Sequence, residues 1–230
     1  MAISIKVRLL IIIMAALVGG LHGEGIYFEQ IKSRKDPKGS PGNPTLIKTW
    51  LDGRQMRIDE KSTTLIDQVT GKIITLDHDA KSFTVLSGSS DQLKKDIADS
   101  VTQAVRDLKT AYRPTGLTKK IGAWPCSQVL YTPDAGPGGK AVSVEYWLTE
   151  ELGVNFYEVY NIGPDPFLKN LEPYARRDRS LLDKLPRGFP VLTITRLDAG
   201  GNPVVDELRL TKFEKRKIEA ETFKVPRDYQ

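Results

Sequence analysis

The chain has 230 residues, 40% hydrophobic and 27% charged, with 34 Lys and Arg against 29 Asp and Glu for a net charge of +5. That apolar content is enough to build the core of one or two domains, and it excludes collagen, a coiled coil, a multi-span membrane protein and a mostly disordered chain. With 2 His and 1 Cys, most metal-site and nucleophile chemistry is excluded as well.

Residues 1–23 place Lys6 and Arg8 ahead of an unbroken apolar run from Leu9 to Val18, followed by small residues. The run is too short for a bilayer, which takes ~20 residues, and suits a secretory signal cleaved after Gly20 or Gly23. The predicted organisation is therefore a signal peptide over 1–23 and a single domain over 24–230, periplasmic or extracellular. Subtracting the charges of Lys6 and Arg8 from +5 leaves +3 on the mature chain, which lacks the broad positive potential that nucleic acid needs. Cys126 cannot close an intrachain disulfide, and its neighbours Trp124, Pro125, Val129 and Leu130 favour a small buried hydrophobe over a reactive thiol or a bond to a partner chain.

Short segments separated by turn residues follow: Ile26–Ile31, a Pro/Gly/Lys loop over Arg34–Pro44, Thr45–Leu51, Gln55–Ile58, Thr64–Gln68, Lys72–Leu76 and Ser82–Leu86. Turns at Asp52-Gly53, Thr70-Gly71 and His78-Asp79 divide them, a spacing that predicts an antiparallel meander. Met56 and Ile58 share one face of their strand, with Gln55 and Arg57 on the other. Thr45–Leu51 is apolar on both sides and reads as a strand covered twice. The period then lengthens. Leu93, Ile97, Val101, Ala104, Val105, Leu108 and Tyr112 recur at helical steps, and Pro114-Thr115-Gly116 ends the predicted helix. A second helix is predicted from Asp165-Pro166, with Phe167, Leu168, Leu171 and Tyr174 as its stripe. Strands return at Lys119–Thr132, Ala141–Thr149, Pro190–Leu197 and Val204–Phe213. The predicted fold is α+β: one curved antiparallel sheet of roughly ten strands covered by two helices.

The search for catalysis finds no motif. His78, in Asp77-His78-Asp79, reads as a hairpin turn capped by Asp, since no second His or Cys cluster completes a metal site. Gly136-Pro137-Gly138-Gly139-Lys140 lacks the spacing and the following Ser or Thr of a phosphate loop. Adjacent carboxylates such as Glu150-Glu151 point to opposite sides of a strand. No catalytic residue, metal or cofactor is expected. Basic clusters at Lys32/Arg34/Lys35/Lys38, Arg176/Arg177/Arg179 and Lys212/Lys215/Arg216/Lys217 are either solvated surface or contacts to an anionic membrane surface.

Several stretches together resemble a known family. Arg54-Gln55-Met56-Arg57-Ile58-Asp59, Gly122-Ala123-Trp124-Pro125-Cys126, Val144-Glu145-Tyr146-Trp147-Leu148-Thr149, Gly188-Phe189-Pro190-Val191 and Phe223-Lys224-Val225-Pro226 resemble an uncharacterised bacterial envelope family, a domain of unknown function similar to outer-membrane lipoprotein carrier proteins. The resemblance implies a half-open β-barrel whose helices plug an apolar cavity, with acyl chains as the ligand class and no catalytic residues. The expected function is that of a non-enzymatic periplasmic or secreted carrier for a lipid, acyl chain or other apolar ligand, lined by Trp50, Met56, Ile58, Phe83, Val144 and Tyr146. The alternative is an envelope interaction or scaffold protein with a filled core and no small-molecule ligand, which works through its surface loops and basic clusters on an envelope protein or an anionic membrane surface.

Overall fold

The computed structural model describes residues 24–35, 40, 42–53, 55–67, 70, 72–87, 112–132, 142–155, 186–198 and 203–230. They form one open, curved antiparallel sheet of eleven strands. The strands are β1 (Gly25–Lys35), β2 (Thr45–Asp52), β3 (Gln55–Asp59), β4 (Thr63–Asp67), β5 (Lys72–Asp77), β6 (Ser82–Ser87), β7 (Tyr112–Ile121), β8 (Trp124–Tyr131), β9 (Val142–Thr149), β10 (Phe189–Asp198) and β11 (Pro203–Arg216). Their spatial order is β6-β5-β4-β3-β2-β1-β11-β10-β9-β8-β7. Two meanders thus run outward from a central seam where the first strand pairs with the last. A twisted sheet this wide curls, and register shifts in β1–β11, β9–β10 and β7–β8 add local bends.

Three details differ from the sequence reading. β1 continues to Lys35, into the predicted loop, because β11 pairs with it along its whole length and Asp206 takes Arg34 in a two-pronged ion pair at 2.6 and 2.7 Å. The predicted strand 119–132 is two strands, broken where Gly122 adopts φ +58 in a tight turn. The third is β7: Tyr112, assigned above to a helix end, opens this edge strand, and Pro114 sits beside its bulge, a position open to a residue with no N–H to donate. The rest of the helix read over 93–112, the helix read from Asp165 and the leader 1–23 lie outside the described residues.

In an antiparallel sheet, directly paired residues project from the same face and neighbours along a strand alternate. The register therefore sorts the sheet into two faces, named here by Met56 and Trp50. The main core cluster includes Ile26, Phe28, Leu51, Met56, Ile66 and Leu210 and continues into Cys126, Trp147 and Val191. Phe28, Phe189 and Phe213 stack edge-to-face at its centre with centroids 5.3 Å apart, which fixes the seam with directional aromatic contacts.

Candidate functional site

On the Met56 face of the β2–β6 arm two rows run across the strands. Leu51, Met56, Ile66 and Ile73 are successive cross-strand partners and make an apolar row. One pleat away, Thr49 pairs with Ile58, Ile58 with Thr64, Thr64 with Thr75 and Thr75 with Thr84. This second row is threonine in every strand but one. Among the described residues none of these four threonine side chains makes a hydrogen bond. Beyond the row, at the end of the sheet bearing the turn after β5, lies a cavity of about 390 Å³. Thr75, Thr84, Ser62 and Ser82 line it together with Lys61, Asp77 and Asp79.

Following the register across the seam keeps the same face in view. Phe28 pairs with Thr49 and Phe213, Lys32 with Leu208, Leu208 with Thr193, and Thr193 with Tyr146. Val144 is one step along, paired with Thr195 and Tyr131. Tyr112, Tyr131 and Tyr146 gather there, with centroids 4.6 and 6.5 Å from Tyr112. Of the six candidate lining residues, Met56, Ile58, Val144 and Tyr146 therefore share a face. Trp50 and Phe83 stand on the opposite one: Trp50 pairs with Arg57 and Phe83 with Leu76.

On the Trp50 face, the polar groups near β3–β5 bond to one another. Arg57 donates to both carboxylate oxygens of Asp59 at 2.8 and 3.0 Å and to the Thr222 carbonyl at 3.1 Å. Thr63 donates its hydroxyl to Asp59 at 2.7 Å and lies 2.8 Å from His78 Nε2. A carboxylate only accepts, so the single Thr63 proton goes to Asp59 and His78 Nε2–H donates to Thr63; His78 Nδ1 lies 2.5 Å from the Tyr229 hydroxyl. The chain's closing segment, from Lys217 to Gln230, is thereby strapped over this face. It starts where Ile218 packs on Gly25, a contact so close that a Cβ there would lie 2.7 Å from the Ile218 side chain. It finishes on the free edge of β6, with Phe83 N bonded to the Gln230 carbonyl at 3.1 Å and Lys81 paired to Asp228 at 3.0 Å. Trp50 lies between Tyr27, at 5.0 Å, and Arg57, at 5.4 Å, in an aromatic–cation stack. Burial, with the Glu29 carboxylate beside it, pushes the Tyr27 hydroxyl up to about 12.

The titratable groups read as structural. His78 lies in a turn whose Asp77 side chain accepts from the Asp79 and Ala80 amides at 3.0 and 2.9 Å, the capped hairpin expected from sequence. Burial pushes the Cys126 thiol up, away from the reactive thiolate. A second cavity, of about 480 Å³, lies beside Cys126, Lys119 and Leu148. Burial works against the charge of Glu145, but hydrogen bonds from Trp147, Gln128 and Arg196 outweigh it and hold the carboxyl below the usual range. Among the described residues of the basic clusters, Lys32 pairs with Glu60, Arg34 with Asp206, Lys212 and Arg216 with Glu214 and Lys217 with Glu219; Lys38 and the Arg176/Arg177/Arg179 cluster lie outside the described residues. No group of three or more potential metal ligands occurs among the described residues.

The model of a domain of unknown function, DUF4412, matches residues 46–229. This chain belongs to that family. No curated protein matches it. Among solved structures it is similar to PNGF-II, at 13% identity and a TM-score of 0.42, over 89% of this chain and 31% of that one. It thus spans less than a third of the PNGF-II chain. It is similar as well to a DUF1329 family protein from Desulfovibrio piger, at 11% identity and 0.35, over 92% of this chain and 93% of that one. A third similar structure is a putative outer membrane lipoprotein-sorting protein domain from Vibrio parahaemolyticus, at 12% identity and 0.34, over 91% and 94% of the two chains.

Proposed function

We propose that this DUF4412 protein is a non-enzymatic binding or carrier protein of the bacterial envelope, exported by residues 1–23, with 24–230 as one domain. In this reading the Met56 face forms the inside of a half-open barrel, and the helices expected at 93–111 and from Asp165 roof it. An acyl chain or other apolar ligand lies between Met56 and Ile58 on one arm and Val144 and Tyr146 on the other. The observation that carries the reading is the placement of these four residues on one continuous face of an eleven-stranded sheet. Each CH₂ that such a surface takes from water contributes about 0.8 kcal/mol, so a long chain is held without any charged contact.

The test is titration of the mature protein with a dansylated undecanoic acid, alongside native mass spectrometry of protein taken from the periplasm. The wild-type protein is expected to take up the probe, and Ile58→Glu to weaken uptake at least tenfold while remaining folded. Ile58 is the better site for this than Met56, which is 4% exposed and belongs to the packed core. Failure of the folded wild-type protein to bind probe or to carry lipid overturns the reading. The scaffold alternative, supported by the tight burial of Met56, Leu51 and Ile66, predicts that failure.

A further inference from the structure

The threonine row has no structural task among the described residues, and the cavity it leads into is lined by hydroxyls. Ser62, Thr75, Ser82 and Thr84 all face this space, and none of their side chains makes a hydrogen bond within the described chain. Hydroxyls that neither cap a turn nor bridge strands are free to exchange water for the donors and acceptors of a ligand. The remaining lining groups narrow the chemistry. Asp77 is engaged by its turn and His78 by Thr63 and Tyr229. The lining sets a single ammonium, Lys61, against the carboxylates of Asp77 and Asp79. With two carboxylates to one ammonium, the balance disfavours an anionic headgroup. At about 390 Å³ the space lies toward the small end of ligand pockets, sufficient for a headgroup and too small for a whole lipid.

We infer that the ligand of the Met56 face is an amphiphile with an uncharged, hydroxyl-bearing headgroup, seated against Thr75, Thr84, Ser62 and Ser82 while its chain runs past the half-buried Ile58. The inference rests on the carrier reading above and adds a subsite to it. Ile58 and Thr75 stand in the same cross-strand row, two strands apart, so the sheet itself sets the distance between the headgroup position and the chain position.

The experiment compares 1-monooleoylglycerol, oleate and lysophosphatidylglycerol as competitors of the dansylated fatty acid. Monooleoylglycerol is expected to bind about tenfold tighter than oleate, the gain from one or two uncharged hydrogen bonds. Thr75→Val combined with Thr84→Val keeps side-chain shape and is expected to bring monooleoylglycerol down to the level of oleate, leaving oleate unchanged. Equal affinity of wild-type protein for monooleoylglycerol and oleate overturns the headgroup site while leaving the carrier reading in place. Tighter binding of lysophosphatidylglycerol than of monooleoylglycerol overturns the uncharged headgroup. A double variant that loses both lipids equally, with its thermal midpoint unchanged, overturns the division into headgroup and chain positions. Binding of none of the three overturns both the subsite and the carrier.

Discussion

Thr63 and Thr64 are neighbours in β4, identical in chemistry and opposite in circumstance. Thr63 has no exposed surface, and its hydroxyl joins Asp59 to His78 beneath the strap. Thr64 projects from the other face, in a row whose hydroxyls bond to nothing among the described residues. The contrast holds for the two faces of the whole arm. On the Trp50 side the polar groups are matched to one another and hold the closing segment down. On the Met56 side they are left open beside an apolar row. Matched polar groups fix a structure, because removing one leaves its buried partner without a bond; unmatched ones at a cavity are available to something else.

Four variants would break or sharpen this contrast. The largest effect is expected from Leu76→Ala on the Trp50 face, where the side chain is fully buried. Deleting it should cost about 3 kcal/mol in urea denaturation, as for other large-to-small changes at sites that cannot collapse. Next come paired valine substitutions: Thr63→Val is expected to cost about 1–3 kcal/mol, and Thr64→Val less than about 0.5 kcal/mol. Equal losses for the pair would show that the Met56-face hydroxyls carry structural bonds after all. The smallest effect concerns acid. Glu145 has a folded-state pKa lowered by its Trp147, Gln128 and Arg196 partners, so the stability it contributes is complete above the unfolded-state range near pH ~4.3 and is lost as pH falls through the lower folded value. Glu145→Gln is therefore expected to lose less stability between pH 5 and pH 3 than the wild-type protein, measured by thermal melts across that range.

The β2–β6 meander was legible because each turn carries its own chemistry. Asp52-Gly53 and the Asp77-capped turn at His78 fix where strands stop, and the two-residue periodicity fixes which side chains travel together. The error of grouping Trp50 with Met56 was avoidable on the same grounds. A tight turn at Gly53 pairs Leu51 with Met56 and so puts Trp50 beside Arg57. The β7 strand was not legible: Pro114-Thr115-Gly116 is a helix terminator by local chemistry, and only pairing with β8 makes it an edge strand with a bulge. The threonine row was also hidden, since positions 49, 64, 75 and 84 have no regular spacing until the hairpin registers align them. The strap was hidden for a related reason. Arg57–Thr222 and His78–Tyr229 join residues far apart in sequence, and no local pattern announces such a meeting.

The central seam also has a kinetic consequence. Gly25 pairs with Arg216, so the middle of the sheet closes through contacts spanning nearly the whole chain, whereas each flanking meander zips up between sequence neighbours. Folding should therefore produce two quick half-sheets and then a slow union of β1 with β11, the step burdened by the longest loop. Until that union β1 presents an unpaired edge to its surroundings, so the interval before the last strand arrives is when this chain is most open to joining the wrong neighbour.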